Sequence, residues 1–428
     1  MKILMFGWEF PPHISGGLGT ACFGLTKGLA EIKDVEVTFV VPKAFGDEDQ
    51  SAMRLIGANT VPISKKEIQL GETEKKMEYL EVDSTIVPYV SEEEFWKLKS
   101  KKYSRNTRFV ETEDGTTINF TGTYGGGLLE EIKNYGLVAE IIASSAEFDI
   151  IHAHDWLAYP AGMAAKRASG KPLVVHVHAT DFDRSGGSVN PRVYAIEREG
   201  MEMADKVIAV SNLTRDTVIN KYGINPEKVE TVYNAVEPVN DEPTSLPEKG
   251  IDEKVVTFLG RITMQKGPEY FIEAASLVLR KMNNVRFVMA GSGDLLDTMI
   301  TRTAELGIAD KFHFTGFLKG NDVSALFKMT DVFVMPSVSE PFGIVPLEAM
   351  QLNVPVIISN QSGVAEVLEN AIKIDFWDTF AMADSIFGIL NYPSLATHFK
   401  TEGKHEVDAF RWVNSAMRVK EVYDNVLA

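Results

Sequence analysis

Short apolar runs alternate with helical patterns along most of this chain, in two successive series. In the first, KILMFG, VEVTFVV, FDIIHAHDW, PLVVHVHATDF and DKVIAVS are separated by helical patterns or, once, by a long polar stretch. In the second, VVTFLGR, VRFVMAG, KFHFTGF, DVFVMP and PVIIS repeat the rhythm. Runs this short and this apolar read as strands buried on both faces. Strands joined through helices run parallel, because each crossover returns the chain to the same end of the sheet. Between the two series lies VNDEPTSLPEKGIDEK, whose prolines, acids and small polar residues mark a boundary. The spacing predicts an α/β protein of two domains, residues 1–238 and 239–404, followed by an amphipathic helical pattern over 405–428. Residues from about 44 to 127 break the rhythm and read as an insertion in the first domain.

At 428 residues the chain is long enough for two or three domains with full cores. An apolar content of 45% and a mean hydropathy of -0.05 read as a soluble globular protein. The net charge of -17 argues against nucleic acid or anionic membrane as the main partner, while leaving room for a local basic pocket. The single cysteine, Cys22, permits no internal disulfide and fits a reducing compartment. Its place in an apolar helical pattern reads as a packed thiol. MKILMF is too short for a secretory apolar segment, and no run of about 18 apolar residues is available to span a membrane. The cytoplasm is the expected location, without a membrane anchor; homo-oligomerisation stays open.

The stretch SVSEPFGIVPLEAM, Ser337 to Met350, follows the DVFVMP strand and runs into a helical pattern with Pro346 in its first turn. Ligands of open α/β sheets bind where strands end and helices begin, and a helix N-terminus suits a phosphate or a polyhydroxylated sugar. Glu340 at the strand tip and Glu348 in the first helical turn can reach one ligand; an ordinary strand-to-helix turn is the plainer alternative. GRITMQKG ends another strand, with Arg261 and Lys266 beside Gly267-Pro268, a set that fits a diphosphate. Gly16, Gly17 and Gly19 lead from the first strand into the first helix, where backbone N–H groups can approach a phosphate. Gly291-Ser292-Gly293 and Ser362-Gly363-Val364 end two further strands.

His152, His154 and Asp155 close one strand, and His176, His178 and Asp181 close another. His-x-His puts both imidazoles on one face, which brings zinc into consideration. No cysteine joins the set in the sequence, and the expectation is that no metal is bound. Asp181-Phe182-Asp183 has D-x-D spacing and reads as two solvated acids. Aromatics recur in the insertion, from Tyr79 to Tyr124. Trp96 and Tyr103 are candidates for stacking on the sugar rings of an acceptor, with packing of a small subdomain an equal reading.

In chain order, GGLG, HAHDW, VHVHATD, GR-x4-KG and E-x7-E resemble the motifs of retaining glycosyltransferases of the GT-B fold, in particular the bacterial and archaeal glycogen (starch) synthase-like branch. The resemblance spans nearly the whole chain. It implies two Rossmann-like domains whose parallel sheets face a deep interdomain cleft, with the 405–428 helix returning to the first domain. It implies a nucleotide diphosphate glucose donor (ADP- or UDP-glucose) and an α-1,4-glucan acceptor, with no cofactor and no metal. By the same resemblance Asp155, His178 and Glu340 surround the reacting sugar. Gly16, Gly17, Arg261, Lys266, Phe342, Gly343, Ile344 and Glu348 bind the donor, with Glu348 on the ribose. Where glycogen synthases carry Lys-Thr-Gly-Gly-Leu, this chain has Ile14-Ser15-Gly16-Gly17-Leu18, which leaves the donor base open. Transfer to a small sugar or sugar phosphate, as in sucrose, trehalose or maltose-1-phosphate synthesis, is an alternative. A GT-B sugar-nucleotide epimerase and a non-catalytic binder are two more.

Overall fold

The computed structural model describes residues 1–13, 16–63, 109–112, 115–125, 127–238 and 250–428. The strands of the first half are β1 (Lys2–Phe6), β2 (Glu36–Val41), β3 (Arg54–Gly57), β4 (Phe109–Thr112), β5 (Gly115–Ile118), β6 (Ile150–His154), β7 (Leu173–Val177), β8 (Lys206–Ala209) and β9 (Val229–Thr231). Seven of them form one parallel sheet in the order β3-β2-β1-β6-β7-β8-β9, and β4 pairs with β5 as a separate antiparallel hairpin. The second half contributes β10 (Lys254–Leu259), β11 (Val285–Ala290), β12 (Phe312–Gly316), β13 (Val332–Met335), β14 (Val356–Ser359) and β15 (Ile372–Ile374). These form a six-stranded parallel sheet in the order β12-β11-β10-β13-β14-β15.

Both sheets have the doubly wound order, with the first strand in the interior and the chain reversing its direction of winding beside it. Connections leave β1 and β6 toward opposite edges, as they do β10 and β13. A crevice therefore opens at the carboxyl ends of each pair. The loops after these four strands carry most of the residues singled out in the sequence.

Burial on both sheet faces explains the apolar runs. Every residue of IIHAH in β6 and LVVHV in β7 is buried. Ile151, Ala153, Leu173 and Val175 face one core, with residues of the Leu128–Ser145 and Asp155–Ser169 helices. Ile150 and Val174 face the other, with residues of the Gly17–Ala30 and Trp412–Leu427 helices. Alternation along the strand then turns His152, His154 and His176 toward this second core.

The 405–428 stretch is not one helix. A helix over Pro393–Val407 ends, the chain bends through residues 408–411, and a second helix begins at Trp412. The Phe410 carbonyl accepts from the Val236 N–H at 3.3 Å, which ties the bend to the first half. The apolar pattern continues across the bend, so periodicity does not reveal it. The last helix packs on Gly17–Ala30, where side chains at Gly24 and Gly28 would run into Trp412. Sequence reading passes over β3, β15 and the Thr379–Asn391 helix, and meets the Pro393–Val407 helix only at its end. Among the described residues no helix is long and apolar enough to cross a membrane.

Candidate functional site

After β10 the chain passes Arg261 into a short 3-10 turn over Met264–Lys266, and Gly267 opens the Pro268–Leu279 helix without a side-chain cap. Lys266 Nζ lies 2.5 Å from Glu340 Oε2, which also accepts the Ser337 hydroxyl at 3.1 Å. Arg261 donates to Gln265 Oε1 at 2.9 Å, and Gln265 Nε2 donates to the Ser339 carbonyl at 3.1 Å. Both cations at the end of β10 are thus tied to the loop after β13. The Lys266 and Glu340 side chains are 20% and 10% exposed, so solvent screens this pair less than one on the open surface.

The Glu340 loop is held from its other side as well. Glu340 bridges to Ser362, its N–H donates to the Gln361 carbonyl at 2.9 Å, and its carbonyl accepts from the Gly363 N–H at 2.9 Å. Gly343 takes a φ of +101°, and a Cβ there would press on Glu340 Cγ and the Met335 sulfur, so glycine is required. Phe342, expected among the donor-binding residues, turns its ring away from the loop surface. Its side chain is buried near Tyr233, and its carbonyl accepts the Val364 N–H at 2.7 Å. Ile344 and Glu348 are part-buried. The Glu348 carboxylate has no hydrogen-bond or ionic partner among the described residues, and burial pushes it up to about 7. The Val345–Gln351 helix has only seven residues, so its dipole supplies little of the positive potential expected of it; Arg261 and Lys266 supply the charge.

On the first sheet, Asp155 opens the Asp155–Ser169 helix at a φ of +58°, a strained setting for a residue with a side chain. Its carboxylate accepts the N–H groups of His178 at 2.7 Å and Ala179 at 3.3 Å, which fixes the turn after β7. Burial raises Asp155 to about 6, against the opposing pull of Arg184 and these two N–H groups. His178 Nε2 lies 2.9 Å from His154 Nδ1, and burial lowers His178 to about 3, which keeps it neutral. His152 stacks on His154 at 4.2 Å, and His176 on His178 at 4.3 Å.

Two expectations are corrected here. A cysteine does join the histidines: Cys22 reaches in from the Gly17–Ala30 helix, and its sulfur lies within 4.8 Å of ligand atoms of His154 and His178. His152, His154 and His176 form a second group able to hold a metal, although stacking keeps the in-plane lone pairs of neighbouring rings side by side rather than convergent. Asp181 and Asp183 are buried, not solvated. Asp181 accepts the Asn190 N–H at 2.5 Å, and Asp183 forms a capping box with Thr180. An acid that caps its own helix is hard to tell from a solvated one in sequence.

Gly16 caps and Gly17 begins the first helix, while Ile14 and Ser15 lie outside the described residues. The Gly19 N–H donates to Glu9 Oε1 at 3.2 Å, and the Tyr124 hydroxyl donates to Glu9 Oε2 at 3.0 Å. Glu9 was missed in the sequence; its signal is an acid between Trp8 and Phe10, both buried. Trp96 and Tyr103 lie outside the described residues. Phe120 and Tyr124 are buried in the first core, as the packing reading expects. The two halves touch at the site: the Ser339 hydroxyl donates to Asp183 Oδ1 at 2.6 Å. That contact brings the turn carrying His178 up to the loop carrying Glu340.

Residues 118–239 match the family described as Glycosyltransferase Family 4, and residues 241–406 match Glycosyl transferases group 1. An uncharacterized glycosyltransferase of Methanocaldococcus jannaschii is 29% identical over 99% of this chain and 98% of its own length. An alpha-maltose-1-phosphate synthase of Mycolicibacterium smegmatis is 30% identical over 65% of this chain and 79% of its own. A glycogen synthase of Mycobacterium tuberculosis is 24% identical over 99% and 94%. Among solved structures, a sucrose-phosphate synthase of Thermosynechococcus elongatus superposes with a TM-score of 0.71 at 18% identity, covering 99% of this chain and 98% of that one. An Anabaena protein in complex with UDP-glucose gives 0.68 at 16%, covering 99% and 100%.

Proposed function

The chain belongs to the GT-B glycosyltransferases, and on that premise we propose that it transfers glucose from ADP- or UDP-glucose to the non-reducing end of an α-1,4-glucan, with retention at the anomeric carbon and without a metal ion. One observation carries the reading: the Lys266–Glu340 pair, with Arg261 beside it, stands where Gly267 leaves the start of a 12-residue helix without a side-chain cap. A departing diphosphate gathers negative charge as its bond to C1 breaks. Cations fixed at that point stabilise the transition state more than the ground state. Drawn to the diphosphate, Lys266 releases Glu340 to the sugar hydroxyls or to the positive charge on the ring. The acceptor hydroxyl attacks C1 on the face the diphosphate leaves, and its proton passes to a departing phosphate oxygen. Neutral His178 and the turn anchored by Asp155 form the drier wall, which disfavours attack by water.

The donor is supported by the likeness to the Anabaena protein that binds UDP-glucose, and the acceptor by the likeness to a glycogen synthase along 99% of the chain. Similarity to a maltose-1-phosphate synthase favours a second reading, transfer to a sugar phosphate. The test offers labelled ADP-glucose and UDP-glucose to malto-oligosaccharide, glucose 1-phosphate, glucose 6-phosphate and fructose. A ladder of single-glucose steps that an α-specific exohydrolase trims away is expected. One product on a sugar phosphate, with no ladder, moves the acceptor to the second reading. Release of nucleotide with an altered sugar, and no need of acceptor, makes the protein an epimerase instead.

A further inference from the structure

Both neighbours of Glu340 are held from across the cleft. The Ser339 hydroxyl donates to Asp183 at 2.6 Å, and the Pro341 carbonyl accepts the Thr214 hydroxyl at 3.4 Å. A third contact lies just behind them. In the first half, the helix Asn212–Tyr222 is capped by Ser211, whose hydroxyl accepts the Thr214 N–H at 3.0 Å. The two preceding amides, Asn212 and Leu213, donate to the two carboxylate oxygens of Glu366 at 2.9 and 2.7 Å. The first three N–H groups of this helix therefore have acceptors, and the other half of the molecule supplies two of them. The Tyr233 hydroxyl adds a third donor to Glu366 at 2.9 Å.

Between Glu366 and the Glu340 loop lies the turn Ser362-Gly363-Val364, which is bonded to that loop main chain to main chain. The Gly363 N–H donates to the Glu340 carbonyl at 2.9 Å and the Val364 N–H to the Phe342 carbonyl at 2.7 Å. Gly363 is wedged between the halves: a side chain there would meet the Pro341 carbonyl on one side and Ser211 on the other.

We propose that Glu366 is a positioning residue that couples closure of the cleft to the placement of Glu340. The idea rests on the role given to Glu340 above. A carboxylate that accepts two amides at a helix start is favoured by charge as well as by hydrogen bonding. Seating it draws the 362–366 turn against Ser211, and the turn fixes the Glu340 main chain. When the halves separate, the helix loses two acceptors, and the loop loses its anchors at Ser339 and Pro341 in the same movement. A loop set for transfer then exists only in the closed molecule.

The experiment compares Glu366→Ala, Glu366→Gln and Glu366→Asp with the parent protein, by amide hydrogen exchange and by steady-state kinetics. In folded Glu366→Ala, exchange at Asn212, Leu213, Gly363 and Val364 is expected to speed up about tenfold, as a locally opened region does. Turnover falls by about tenfold, the scale of a lost charge-assisted contact, with donor KM moving less than about twofold. Glu366→Asp recovers part of both effects, and Glu366→Gln less. Faster exchange confined to Asn212 and Leu213 would reduce Glu366 to a helix cap and overturn the coupling. Unchanged exchange at all four amides would overturn it whatever the kinetics. If the parent protein turns over no sugar nucleotide, the functional reading fails by itself, while the exchange at Gly363 and Val364 still decides the coupling.

Discussion

The two strand ends that meet at the cleft treat charge in opposite ways. At β10 and β13 charge is kept and held: Lys266 is paired with Glu340, and Arg261 donates to the neutral Gln265, which in turn holds the Ser339 carbonyl. At β6 and β7 the histidines are kept neutral, and Asp155 beside them is tied to two main-chain N–H groups. Burial lowers all four stacked histidines, and it raises Asp155 to about 6 although Arg184 and two N–H groups oppose the rise. A paired charge can exchange its partner for a ligand at small cost, because the ligand replaces what it displaces. Buried neutral rings braced by a main-chain anchor can only keep their shape. The first side is therefore suited to binding and releasing a charged group, and the second to holding a wall against a sugar.

The largest expected effect lies on the charged side. Lys266→Ala and Arg261→Ala should each cut turnover about 100-fold, the usual scale for one lost donor to developing charge. Each should also weaken binding of the free nucleoside diphosphate, measured by calorimetry. Folded variants with near-normal turnover would remove these cations from the mechanism.

The neutral side should respond differently. Asp155→Ala frees the His178 and Ala179 amides from their acceptor and loosens the turn. Turnover is expected to fall about tenfold, the scale of a lost hydrogen-bonded anchor to a charged group, while nucleoside diphosphate affinity stays unchanged. If Asp155→Ala loses diphosphate binding as strongly as Lys266→Ala, the contrast between the two sides is wrong.

The charged side was the more legible in sequence. Arg261, Lys266, Glu340 and Gly343 stand close to strand tips in the sequence pattern, and the structure gathers them at one place. The parallel direction of both sheets also followed from the rhythm of strands and helices, although their strand order did not. The neutral side was half legible: His-x-His placed two rings on one face, but Cys22 comes from a helix over 100 residues earlier, and no local pattern announces it. Contacts between the halves were not legible. Ser339, Glu366 and Asp183 are ordinary polar residues until two distant loops meet. The burial of Phe342 was not legible either, since a residue inside a binding loop can still turn its side chain into the core.

Glu348 sharpens the comparison, because it lies on the charged side's sheet in surroundings like those of the neutral side. Burial raises it from an ordinary 4.5 to about 7, with no cation beside it. Between those two values the folded protein holds the proton more tightly than the unfolded chain does. Stability from this group is therefore full below about pH 4.5 and is lost as pH rises through about 7. Asp155 and Glu197 are raised to about 6 and about 7 and slope the same way, so the parent profile alone does not isolate Glu348. The difference between parent and Glu348→Gln does, since the amide does not titrate. On moving from about pH 5 to about pH 8, the variant should gain on the parent by on the order of 1 kcal/mol, a modest figure because Glu348 is only part-buried. Thermal midpoints in the two buffers measure it. A difference that stays flat would mean that Glu348 is well solvated. The charged sheet end would then hold no buried unpaired carboxyl for a donor hydroxyl to satisfy.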